Sequence, residues 1–267
     1  MFLTEKSRRK ILIKALCSFF LGVFSFAFWV FFRALGDTDN TLLVIGMIAF
    51  FLCLLEVFLG RYSEGKGKLI NHGNKLVRNE LKPAEFIKHY ELLKKSDDLI
   101  VGKPSMEVLH LVAVAYDLLD DRENVFSTVD EMIASASDKK KNFAKLIKSS
   151  FLFSCGRTYE AESIFVEVQK QKLDFACISL VDAILKSDRA MAMGDYRTAE
   201  AHFLKMLERS FPKLDNLGRL IVNYKLGEIY EKLEDIEKAT SYYRYCASNG
   251  GETTIKISAI EKLQLLK

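Results

Sequence analysis

Histidine and cysteine are scarce in this chain, and neither is grouped. The four histidines, at 72, 89, 110 and 202, stand far apart, and none is followed by a second ligand at i+3 or i+4. A helix-borne metal site needs such a spacing, so each histidine reads as a surface or interfacial side chain. The five cysteines, at 17, 53, 155, 177 and 246, contain no CxxC pair. Isolated cysteines of this kind pack as small apolar residues, which argues against both a disulfide framework and structural zinc. A P-loop, a GxSxG elbow, an HExxH helix and an EF-hand loop are all missing. "GKGK" at 65–68 lacks the loop length of a phosphate cradle. Acidic pairs such as Asp97–Asp98 and Asp120–Asp121 sit at expected helix ends, where capping accounts for them. The chain is therefore expected to be no enzyme and to hold no cofactor and no metal.

Charge is missing in two places. Residues 15–32, "ALCSFFLGVFSFAFWVFF", carry none, and residues 41–60, "TLLVIGMIAFFLCLLEVFLG", carry Glu56 alone. About 20 apolar residues in a helix cross the bilayer core, and a signal-peptide core of about 7–15 residues is shorter than the first run. The expectation is a membrane hairpin over 1–61, with spans at about 11–33 and 41–60. Lys6, Arg8, Arg9, Lys10 and Lys14 precede it and Arg61, Lys66 and Lys68 follow it, whereas the connecting loop has Arg33 alone. The bias places both termini in the cytoplasm and makes the chain an integral protein of the cell membrane, in contact with the lipid bilayer. In an antiparallel hairpin, Ser18, Gly22 and Ser25 come level with Cys53, Ala49 and Gly46, forming a close-packing stripe. Lys14 and Glu56 fall at nearly the same depth and read as a structural pair whose charges reach the cytoplasmic interface.

The net charge of +4 is unevenly placed. Residues 1–82 hold 12 Lys/Arg against 6 Asp/Glu, and residues 83–267 hold 27 against 29. The basic excess belongs beside anionic head groups, and the remainder offers no basic footprint for nucleic acid. Residues 62–82 are expected to be a basic juxtamembrane linker. Leu69, Ile70, Leu76, Val77 and Leu81 there form either a stripe on the membrane surface or part of a frayed helix.

From Pro83 to the end, alternating strand patterns are absent and apolar residues recur at helical spacing. The stretch "MGDYRTAEAHFLKM" at 193–206 contains a pattern: Gly194, a small residue five later (Ala199), an aromatic at nine (Phe203) and an apolar residue at twelve (Met206). Gly156–Ala161–Phe165–Val168 repeats it, Glu234–Ala239–Tyr243–Cys246 repeats it apart from the anchor, and Asp120–Val125–Val129–Met132 is a weaker copy. Seven residues before the anchors stand Ala113, Ser149, Ser187 and Gly227, all small. Two antiparallel helices approach closely only where facing side chains are small, and single pairs must stack on neighbours to bury an apolar face. The reading is an all-α protein in which residues 83–267 form about four helix pairs and a closing helix, "ETTIKISAIEKLQLLK".

The unit "NYKLGEIYEKLEDIEKATSYYRYC", with Leu226, Gly227, Tyr230, Ala239 and Tyr243, and the turn "GDYRTAEAHF" resemble the tetratricopeptide-repeat (TPR) family over about residues 103–250. The periods exceed that family's usual length, and its proline after each second helix is missing. The resemblance implies an α-solenoid whose first helices line a concave groove, here through His110, Val114, Leu146, Ser150, Ile184, Asp188, Tyr224 and Glu228. None of these is Lys, Arg or Asn, so the carboxylate clamp of some relatives is not expected. Glu231 joins Asp188 and Glu228 to make the groove acidic toward its C-terminal end, and the 83–100 helix is an alternative occupant of it. The expected function is that of a membrane-anchored adaptor or scaffold holding a protein or peptide partner, with apolar anchors and a basic flank. The alternative is a non-catalytic regulatory subunit of a membrane complex, such as a transporter, protease or secretion assembly, docking through the hairpin. A homo-oligomer is compatible with either.

Overall fold

A computed structural model of the chain describes residue 30 and residues 67–95, 104–169, 179–208 and 214–266. Apart from Val30, the expected spans lie outside the described residues, as do Lys14 and Glu56. Among the described residues no helix is long and apolar enough to cross a membrane. The chain divides into two compact units, and the one made of Ile70–Ser96 with Pro104–Lys267 holds all that follows.

This unit is all-α where it is described. Residues 70–73 are helical and run into a π-helical turn, Asn74–Asn79. Ten α-helices succeed it: α1 (Pro83–Lys95), α2 (Met106–Asp117), α3 (Arg122–Ser135), α4 (Asp138–Ser154), α5 (Thr158–Gln169), α6 (Ser179–Ala192), α7 (Tyr196–Glu208), α8 (Asn216–Lys232), α9 (Ile236–Asn249) and α10 (Thr254–Leu265). Their starts are written locally. Pro83 occupies the first position of α1, where its missing N–H costs nothing. Ser105, Asp121, Asp215 and Asp235 each accept a bond from the backbone N–H three residues on, satisfying a donor that the helix leaves open.

The four anchors found in the sequence share one backbone conformation. Asp120, Gly156, Gly194 and Glu234 have φ of 57°, 75°, 78° and 60°, the left-handed region. After each anchor, the next N–H reaches back five residues to a carbonyl: Asp121 to Tyr116, Arg157 to Leu152, Asp195 to Ala190 and Asp235 to Tyr230, at 2.9–3.0 Å. That bond closes the preceding helix and turns the chain directly into the next. Asp and Glu tolerate the conformation at a cost that glycine escapes, which is why the anchors at 120 and 234 escape a search for glycine.

The turns fold α2 on α3, α4 on α5, α6 on α7 and α8 on α9, with α10 closing the last pair. The expected contact positions are all interior. Ala113, Ser149 and Ser187 are wholly buried on the first helices, as are Ala161, Ala199 and Ala239 on the second helices, and Phe165, Phe203 and Tyr243 fill the space beside them. Ser149 donates to the Ala161 carbonyl at 2.8 Å, so the small residue on one helix touches the small residue on its partner. At Gly227 a Cβ would stand 2.6 Å from the Tyr243 ring, so the ring occupies the room a side chain would take.

Residues 70–82 are part of this unit. Leu76, Val77 and Leu81 are buried, at 3%, 0% and 4% exposure. The π-helical turn packs on α1, α2 and α8. The apolar stripe legible at 69–81 thus faces protein through these three residues.

Candidate interior site on the first helices

The first helix of each pair sends polar side chains toward one region. Asp117 comes from the end of α2, Ser150 from α4, Asp188 from α6, and Lys225 and Glu228 from α8. Ser150 donates to Asp188 at 3.3 Å, and the Lys225 ammonium lies 3.3 Å from Glu228. Asp188 is buried, at 7% exposure. Its surroundings disfavour charge: burial, resisted by Lys225 and Ser150, pushes its carboxyl up to about 6. Burial does the same to Asp117, again to about 6, with Lys225 and Arg122 working the other way. Burial would lower Lys225, but Glu228 and Asp188 outweigh it and hold the ammonium above the ordinary lysine value. Lys225 thus answers Asp117, Asp188 and Glu228, with Arg122 acting on Asp117 as well.

Lys225 could have been found in the sequence. It lies nine residues before its anchor, where the other pairs have Leu111, Ile147 and Leu185, all buried. A lysine in an apolar register is the signal that reading at offsets of ten and six passes over. Asp117, three residues before its anchor, was outside those offsets as well.

The expected groove residues divide into two groups. Asp188, Glu228 and Ser150 join the interior set. Tyr224 and Glu231 turn instead to the last helices. The Tyr224 ring lies 5.6 Å from that of Tyr243 and shares a hydrogen bond with Ser258, and burial followed by Glu228 pushes its hydroxyl up to about 12. Glu231 accepts from Tyr243 and from Lys262, both at 2.8 Å. Burial opposes its ionisation, yet those two partners keep it below the usual carboxylate range. Leu146 is buried, and Val114 and Ile184 are half-buried. At the other end, burial and then the Arg78 charge push His110 down to about 4, so its ring is neutral at neutral pH. Among the described residues no three His, Cys, Asp or Glu side chains converge as metal ligands.

No protein-family model, no curated protein and no solved structure matches the chain.

The interior carboxyls make a pH prediction. Asp188 has a folded value of about 6 against an ordinary 3.8, so the folded state binds its proton more tightly than the unfolded state does. The stability this supplies is complete below 3.8 and is lost as pH rises through about 6. Asp188→Asn removes that titration. Relative to wild type, the variant is expected to gain on the order of 1 kcal/mol between about pH 5 and about pH 7.5. Urea melts of both proteins at the two pH values check this, and a difference that does not change with pH refutes it.

Proposed function

We propose that this chain is a membrane-anchored, cytoplasm-facing adaptor of TPR-like build, whose helix pairs hold a protein or peptide segment. The observation that carries the reading is the interior set on the first helices. Repeated pairs bring Asp188, Glu228 and Asp117 around Lys225, on the helices that also carry the half-buried Ile184 and Val114. Surplus negative charge beside apolar surface suits a segment with apolar anchors and a basic flank, because charge complementarity steers encounter and rejects acidic competitors. The membrane anchor is supported by the two long apolar runs, which hold Glu56 as their one charge, and the Lys/Arg asymmetry around them.

Glu228→Gln tests this reading. The side chain is 32% exposed, and the amide removes one negative charge while keeping its shape beside Lys225. Crosslinked pull-downs from native membranes are expected to lose basic-flanked partners with the variant while its melting temperature holds. Retention of every partner would show that the first helices are not the binding surface.

A further inference from the structure

Residues 74–82 do something that the repeat pattern does not require. They cross from the first pair to the last, packing on α2 and on α8, and their polar groups tie the two ends of the array together. Arg78 pairs with Asp215 at 3.0 Å, just before α8 begins. The Asn216 amide donates to the Asn79 carbonyl at 2.7 Å. Glu252 N–H donates to the Leu81 carbonyl, and Thr254 N–H to the Leu118 carbonyl, both at 2.9 Å. The start of α10 is thereby pinned to the end of α2. The Arg78 charge also acts on His110, which lies at the first groove position of α2.

The crossing segment is built from unfavourable backbone. A π-helical turn is rare and commonly marks a functional site. Leu81 follows it with φ of 55°, a conformation that a branched side chain adopts only under constraint. The fit is tight on the other side too. Gly251 has φ of 56°, and a Cβ there would stand 2.5 Å from the Leu81 Cβ, so the closing contact needs glycine. Strained backbone is held shut by three apolar side chains and a few polar ties, two of which, Arg78–Asp215 and Asn216–Asn79, lie at the surface. Regions of this kind open at lower free energy than the core to which they are attached.

We propose that residues 74–82 are a releasable strap, which bridges the first and last helix pairs beside His110 and lets go as one unit while the pairs stay folded. Buried Leu76, Val77 and Leu81 make the closed form the resting one, and release uncovers the faces of α1, α2 and α8 on which the strap packs. This goes beyond the adaptor reading, because the strap opens or stays shut whatever the partner.

Hydrogen exchange followed by mass spectrometry, on the full chain in detergent micelles, tests it. In the wild type, peptides covering 74–82 and 250–256 are expected to exchange together and faster than those from α3, α4 and α5. Arg78→Glu sets two like charges against each other and is expected to speed both peptides about three- to tenfold, leaving α3 to α5 unchanged. Arg78→Glu with Asp215→Arg restores the attraction and is expected to return both to the wild-type rate. The second readout is access. A thiol introduced by His110→Cys, labelled with a small maleimide and quantified at that site, is expected to react faster in the Arg78→Glu background by the same factor. Acceleration of 74–82 alone, equal acceleration throughout the chain, or strap peptides as slow as α3 to α5 would each overturn the strap. Faster exchange with unchanged labelling would overturn its role as a cover.

Discussion

A chain that begins at Pro83 is expected to melt well below one that begins at Gly67. The shorter chain starts where the helical repeats start, and by composition it is the natural fragment to express. It lacks Leu76, Val77 and Leu81, whose side chains are buried against the first and last pairs. Burying each such residue stabilises a fold by about 1.5–3 kcal/mol. It also loses the Asp215 and Asn216 ties and leaves the Glu252 N–H without the Leu81 carbonyl. Residue 73 adds to the loss: it lies so close to Phe86 and Leu111 that a Cβ would stand 2.9 Å from the Phe86 ring, so its removal bares both. Against a total of about 5–15 kcal/mol for an ordinary domain, a loss of this size lowers the midpoint strongly while the helix pairs still fold. Thermal melts of the two fragments, followed by far-UV circular dichroism, decide the matter. Equal midpoints would mean that residues 67–82 are attached to the repeats without supporting them.

Ala199→Phe is expected to be the most damaging single exchange within a repeat. Ala199 is wholly buried on α7, at the position that Ala161 holds on α5 against Ser149, and Ser187 on α6 and Phe203 are also at 0% exposure. With its neighbours wholly buried, a phenyl ring there forces the two helices apart or side chains out of their rotamers. Overpacking of this kind costs about 1–3 kcal/mol, and more where both neighbours are fixed. Lys205→Ala, on the exposed side of the same helix, is expected to stay within about 0.5 kcal/mol of wild type. Urea midpoints for the three proteins provide the comparison. Equal effects would mean that the assignment of helix faces is mistaken.

The helix pairs were legible because their causes are local and repeated. A close contact between two adjacent helices needs small residues at set distances from the turn. Ser149 facing Ala161 and Gly227 facing Tyr243 are those distances realised in space. The turns were legible as glycines at 156 and 194 and less so at 120 and 234, where an acidic residue takes the same left-handed conformation. The interior site was legible only in part. Asp188 and Glu228 lay at the offsets the family pattern supplies, but Lys225 and Asp117 did not, and Tyr224 and Glu231 turn toward α9 and α10 instead. Which way a side chain at a helix edge turns depends on what the neighbouring pair offers it.

By itself, the sequence determined the helical class, the two long apolar runs with the charge asymmetry around them, and the positions at which each pair closes. Each depends on residues within about one repeat of one another, so spacing carries the information. The tertiary structure alone decided where residues 70–82 belong. An apolar stripe says that something must cover it, but a lipid surface and a protein surface demand the same residues of it. Only the partners distinguish them. Here Arg78 finds Asp215, Asn79 finds Asn216 and Leu81 finds Glu252, over 130 residues away along the chain. Interactions at that separation follow from how the pairs stack, and no local pattern records them.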